Sequence, residues 1–182
     1  MMHFAAKTIV IVQGEFRVST RPDEQLQTIL GSCVAACIWD PEAAVGGMNH
    51  FLLAQSQSNS ANPLQERDNR YGVHAMEMLI NALLRLGARR DALRGKLFGG
   101  AKISAHLRDI GSSNADFARN FLRTESIPCL AESLGGTLAR RVTFHPATGR
   151  ARQLLIPGTQ LDETPLRTPP PRPTPPTQVE LF

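Results

Sequence analysis

The stretch from Cys33 to Ala54, CVAACIWDPEAAVGGMNHFLLA, decides the reading of the fold. Two apolar segments, CVAACIWD and VGGMNHFLLA, flank the residues PEAA. Apolar runs bounded by turn formers read as paired strands, and Asp40 with Pro41 sets the turn between them. Residues facing each other on antiparallel strands have position numbers that add to a constant. A turn centred between Pro41 and Glu42 therefore places Cys33 directly opposite His50, where Cβ atoms stand about 5 Å apart. A slip of one residue would send the two side chains to opposite faces, and a bulge at Gly46 or Gly47 would alter the pairing.

Upstream, Thr8 to Val12 and Gln25 to Leu30 carry strand patterns, and Gly31 with Ser32 supplies a sharp turn into Cys33. Downstream, Tyr71 to Leu86 has helical spacing, with Met76, Leu79, Ile80, Leu83 and Leu84 on one face and Gly87 as its stop. KLFGGAKI reads as a strand broken at Gly99 and Gly100, after which Ser113 or Asn114 caps a helix running to about Thr124. Strands near Ile127 to Ala131 and Thr137 to His145, a PATG turn and a last strand to Ile156 complete the pattern. Strands and helices neither alternate strictly nor segregate, which favours an α+β layered sandwich over a doubly wound parallel sheet. Eight of the 13 prolines fall from Pro157 onward, so residues 1–156 are expected to form one domain and residues 157–182 a solvated, disordered tail.

Composition narrows the function classes. An apolar fraction of 42% and a charged fraction of 20% are those of a globular protein. The net charge of +4 comes from Lys and Arg spread along the chain, and one Trp and one Tyr provide no stacking surface, so nucleic acid is not the expected partner. The apolar run from Ile9 to Val12 is far shorter than the roughly 20 residues of a membrane span, and neither membrane insertion nor a signal peptide is expected; the cytosol is the expected location. Three cysteines, Cys33, Cys37 and Cys129, make neither a disulfide framework nor a zinc pair. His74, His106 and His145 form no HxH or HExxH ligand set, and no metal or other cofactor is expected.

A cysteine opposite a histidine has a defined chemistry. A thiol with a pKa of about 8.5 is mostly protonated at neutral pH, and an imidazole near 6.5 can take its proton. The thiolate attacks a carboxamide carbon, the imidazolium protonates the departing ammonia, and water hydrolyses the thioester. Backbone N–H groups around Gly31 and Ser32 are candidates to stabilise the oxyanion. Gln27, Thr28 and Ser32 are each placed to orient the imidazole. Cys37, beside Ala36 and Ile38, and Cys129, after a proline in an apolar strand, read as packing residues.

LGSCVAACIWDP at 30–41 and GGMNHFLLA at 46–54 resemble the CheD family of chemoreceptor glutamine deamidases. The likeness continues through RYGVHAMEMLINALLRLGARRDALRGKLFGGAKI from Arg70, IGSSNADFARNFLRTESIP and LGGTLARRVTFHPATGRA, and leaves out the tail. The resemblance implies a three-layer α/β/β sandwich similar to that of cytotoxic necrotizing factor deamidases. It also implies that Cys33 and His50 are the catalytic cysteine and histidine. The family's third catalytic position is a threonine just upstream of the cysteine; Gln27 stands at the expected spacing and Thr28 one residue later, so Thr28 is the residue assigned. Ser113 departs from the arginine usual before the asparagine that matches Asn114. The implied substrate is glutamine on the cytoplasmic helical region of methyl-accepting chemotaxis receptors, converted to glutamate. A receptor methylesterase side activity and a CheC-like phosphatase partner are further implications, the alternative being a binding module that regulates that phosphatase or the receptor.

Overall fold

The computed structural model describes residues 6–53, 63–104, 109–157 and 179–182. Ten strands make two five-stranded sheets. The outer sheet has the order β1 (Lys7–Val10), β3 (Glu24–Leu30), β8 (Ala139–His145), β9 (Arg150–Ile156), β10 (Val179–Leu181). The central sheet has the order β2 (Phe16–Ser19), β5 (Val45–Asn49), β4 (Val34–Asp40), β6 (Arg94–Gly99), β7 (Cys129–Leu134). Two helices, α1 (Pro63–Arg85) and α2 (Ile110–Thr124), pack only on the central sheet. The expected three-layer α/β/β sandwich is what forms.

Side-chain alternation explains the layering. Every residue of β4 is buried. Val34, Ala36 and Ile38 join Met76, Leu79, Leu83 and Leu122 of the helices in one apolar core. Ala35, Cys37 and Trp39 point the other way and meet Leu26, Leu30, Val142 and Phe144 of the outer sheet in a second. A strand apolar on both faces belongs in the middle of a stack, because each fully buried side chain of this size contributes about 1.5–3 kcal/mol. Of the helical face expected on α1, Met76, Leu79, Ile80 and Leu83 are buried and Leu84 half-buried.

Three sequence expectations are corrected. The hairpin of β4 and β5 pairs Cys37 with Met48, Ile38 with Gly47 and Asp40 with Val45, and Val34 bridges Phe51. The turn is thus centred one residue later than expected, between Glu42 and Ala43, and pairing shifts by two. Asp40 is the cause. Its Oδ1 accepts from the backbone N–H groups of Glu42 (2.8 Å) and Ala43 (3.0 Å), holding a four-residue loop open. Cys33 does not lie directly opposite His50, yet an even shift leaves both on the same face. No bulge occurs at Gly46 or Gly47.

The second correction is the start of α2. Asp109 caps it, its side chain accepting from the backbone N–H of Ser112 at 3.0 Å. Ser113 is exposed on the first turn, and Asn114 is buried and committed elsewhere. The third concerns the tail. Residues 158–178 lie outside the described residues, but the last four dock on the domain: β10 adds antiparallel to β9, and Phe182 exchanges two backbone hydrogen bonds with Ala151 and stands edge-on to Phe98 at 5.4 Å. The short strand β2 was not foreseen; with only Phe16 and Val18 half-buried at an edge, its alternation is faint.

Deleting residues 179–182 removes this strand and the Phe98 contact. It should lower unfolding stability by about 1–3 kcal/mol, as for loss of one largely buried aromatic, and Phe182→Ala should reproduce most of the loss. Urea denaturation of the two variants beside the full chain measures it.

Candidate active site

Cys33 sits at the end of a short loop between β3 and β4, and three clamps hold that loop. The Cys33 carbonyl accepts from the backbone N–H of Gly100 at 2.8 Å, and the Gly31 carbonyl accepts from Ala101 at 2.9 Å. The buried Asn114 donates through Nδ2 to the Ser32 carbonyl at 2.8 Å, while its Oδ1 accepts from the backbone N–H of Leu53 at 3.0 Å. Gly99 makes the first clamp feasible. Its φ of +112° is a conformation other residues rarely adopt, and a Cβ there would lie 2.1 Å from the Cys33 carbonyl oxygen. The double glycine that reads as a strand interruption is therefore the backrest of the loop that ends at Cys33. Among the described residues the N–H groups of Ser32 and Cys33 have no acceptor.

His50 follows β5 and is buried between the sheets. Its backbone donates to the Glu15 carbonyl (3.0 Å) and accepts from Gly14 (2.8 Å). Its ring meets Thr28, with Nδ1 2.8 Å from Oγ1. Alternation on β3 decides which residue reaches it: Leu26, Thr28 and Leu30 face inward, whereas Gln27 is half-exposed and its side chain donates to Thr143 at 3.3 Å. The carbonyl of Ser32 is held by Asn114, and no hydrogen bond links Ser32 to the imidazole.

The Thr28 hydroxyl has one proton. It is 2.7 Å from the Ile11 carbonyl, a group that only accepts, so the hydroxyl donates there and must accept from Nδ1–H of His50. The tautomer with the lone pair on Nε2 follows. That Nε2 is buried and has no hydrogen-bond partner among the described residues. Burial holds the imidazole below the ordinary 6.5, against the Ile11 carbonyl, which pushes the other way. The ring is thus a neutral base at pH 7.

Cys33 is half-buried, and burial pushes its thiol above the ordinary value, with its own backbone N–H opposing. Its S–H donates to Oε1 of Gln13 at 3.5 Å and makes no hydrogen bond to His50. The resting pair is neutral thiol and neutral imidazole. Thr28 and His50 are brought into contact; Cys33 shares their face without a hydrogen bond to the ring. Sequence reasoning passes over Gln13, whose signal is the turn sequence VQGE, and offers Asn114 only as a candidate cap of the helix.

The remaining sulfurs diverge. Cys37 is fully buried, and burial drives its thiol far up. Cys129 is exposed on the edge strand β7, which corrects its reading as a packing residue. Among the described residues no group of His, Cys, Asp or Glu could hold a metal ion, and no helix is long and apolar enough to cross a membrane. His106 lies outside the described residues.

Comparison with known proteins gives consistent matches. Residues 52–153 match the family described as "CheD chemotactic sensory transduction". The chain is 53% identical over 146 residues to a "Probable chemoreceptor glutamine deamidase CheD 1" of Ruegeria sp. (strain TM1040), covering 80% of this chain and 75% of that one. It is 52% identical over 187 residues to a "Probable chemoreceptor glutamine deamidase CheD" of Acidiphilium cryptum, covering 97% and 94%, and 50% identical over 164 residues to a protein of the same name from Agrobacterium fabrum, covering 90% and 88%. A loose structural likeness, TM-score 0.40 at 16% identity over 64% of this chain and 49% of the other, links it to the Bacillus licheniformis hypothetical protein YfiH.

The exposure of the thiols sets an order of labelling. In the folded protein iodoacetamide should modify Cys129 and Cys33, and Cys37 should react only after unfolding, because a buried neutral thiol is inert. Peptide mass mapping after a short exposure reads all three sites.

Proposed function

Given that this chain belongs to the CheD family, we propose that it hydrolyses glutamine side-chain amides of methyl-accepting chemotaxis receptors to glutamate and ammonia. Cys33 is the nucleophile, His50 the base and Thr28 the residue that orients it. The protein works in the cytosol, on the receptors' cytoplasmic helical region, and its reaction needs no cofactor. The observation that carries this reading is the Thr28 contact, which leaves a buried, unpartnered Nε2 lone pair on the face shared with Cys33.

A carboxamide entering the site displaces the weak thiol contact to Gln13, and the Cys33 side chain turns to deliver its proton to Nε2. The sulfur then adds to the amide carbon. The N–H groups of Ser32 and Cys33, which have no acceptor among the described residues, stabilise the negative oxygen. The imidazolium gives its proton to the leaving nitrogen, ammonia departs, and a thioester remains. Water, deprotonated by His50, hydrolyses it. The new carboxylates add negative charge to packed receptor helices, where like charges repel.

Mass spectrometry of a receptor cytoplasmic fragment tests the reading, each converted glutamine gaining about one mass unit as amide becomes acid. Cys33→Ala and His50→Ala should abolish the conversion with the fold intact. Thr28→Val leaves the ring without its orienting partner. Loss of one buried hydrogen bond costs about 1–3 kcal/mol, so kcat should fall roughly tenfold to a hundredfold.

The pH profile has a worked sign. Protonating His50 removes the base, and burial lowers the pH at which this happens, so the acid limb of kcat/KM should lie below the ordinary 6.5. An acid limb above that value would contradict a buried neutral base.

A further inference from the structure

Gln13 brings a carboxamide to the nucleophile from within the chain. Val12 to Glu15 form a tight turn: the Glu15 N–H donates to the Val12 carbonyl at 3.0 Å, and Gly14 has a φ of +87°. A positive φ at the third position marks a type II turn, with Gln13 at its exposed second position. The Val12 N–H donates to the Glu15 carboxylate at 3.2 Å, closing the turn from its other side.

This turn is bolted to the site itself. Gly14 N–H donates to the His50 carbonyl, His50 N–H donates to the Glu15 carbonyl, and the Thr28 hydroxyl donates to the Ile11 carbonyl. Backbone freedom at residues 11–15 is thereby spent on the histidine and threonine of the site. What remains free is the Gln13 side chain, and its Oε1 accepts from the Cys33 S–H at 3.5 Å. Here the carbonyl oxygen faces the thiol, and the electrophilic carbon is one bond further on.

We propose that Gln13 is an internal substrate: its side-chain amide is hydrolysed by Cys33 of the same chain, leaving a glutamate side chain at position 13. The proposal rests on the deamidase reading above. Cys33 passes its proton to Nε2 of His50, and Sγ bonds to Cδ of Gln13 while the carbonyl π pair moves onto Oε1. That pair returns as the Cδ–Nε2 bond breaks, and the imidazolium proton leaves with the nitrogen as ammonia. Water, giving one proton to His50, then adds to the thioester carbon. The Cδ–Sγ bond breaks and the sulfur recovers its proton. One water is consumed and one ammonia released, with no redox change. Tethering makes the first step unimolecular, an advantage equivalent to a very high local concentration of amide. The carboxylate so formed beside the sulfur opposes thiolate formation, so the product form should be the slower enzyme.

Trypsin cleaves after Lys7 and Arg17, and the resulting peptide, TIVIVQGEFR, contains a single amide side chain, that of Gln13. Full-length protein and the Cys33→Ala and His50→Ala variants, each shown folded by circular dichroism, are incubated at neutral pH. The peptide is weighed over time, and a portion of each sample receives a receptor cytoplasmic fragment. In the unaltered chain the peptide should gain about one mass unit at least roughly tenfold faster than in either variant, at a rate independent of protein concentration. Equal conversion in Cys33→Ala, a rate that rises with protein concentration, or an intact Gln13 amide in protein that deamidates the receptor fragment would each overturn the proposal. If neither Gln13 nor the receptor fragment is converted, the deamidase reading falls and takes this proposal with it.

Discussion

Because every residue from Val34 to Asp40 is buried, β4 needs apolar partners on both sides, and that requirement organises the molecule. The helices cover one face and the outer sheet covers the other. The residue just before that strand, Cys33, packs against the second core, the one shared with the outer sheet. It is half-buried, reachable from outside yet close to side chains that project between the sheets.

The inter-sheet space also makes a base of His50. In water an imidazole samples both tautomers and titrates near 6.5. Between the sheets, the Ile11 carbonyl claims the one Thr28 proton, the Thr28 oxygen claims Nδ1–H, and Nε2 is left with a lone pair and no partner. Burial then resists protonation. The chain of three groups spans two sheets: Ile11 and Thr28 lie in or beside the outer one, while His50 follows β5 of the central one. The tautomer of His50 thus depends on sheet-on-sheet packing.

The loop that ends at Cys33 is held in the same way. Asn114, which local sequence rules would make a helix cap, instead lies one turn inside α2 and bridges Ser32 to Leu53, the segments that follow β3 and His50. Gly99 and Gly100, which read as a flaw in a strand, end β6 where its backbone can hold the Cys33 carbonyl. In both cases a residue that looks anomalous for its own element is explained by the loop it supports.

Much of the fold was legible, because hydrophobic alternation and helical spacing are local and the sandwich follows from how many apolar faces need cover. That Cys33 and His50 share a face was legible too, from their side-chain parity on neighbouring strands. Their register was misplaced by two because the turn is set by how Asp40 bonds to Glu42 and Ala43, which a Pro-containing turn sequence does not reveal. The choice of Thr28 over Gln27 rested on which face of β3 turns inward, and that is decided by the partner sheet. Docking of Phe182 was hidden by the prolines before it, since its partners Ala151 and Phe98 are distant in sequence. By itself, then, the sequence determined most of the elements, a layered α+β sandwich and the shared face of Cys33 and His50, all of which depend on short-range pattern. Only the tertiary structure decided the tautomer of His50, the clasp on the nucleophile loop and the presence of Gln13 at the thiol, because each depends on hydrogen bonds between residues that only the packed sheets bring together.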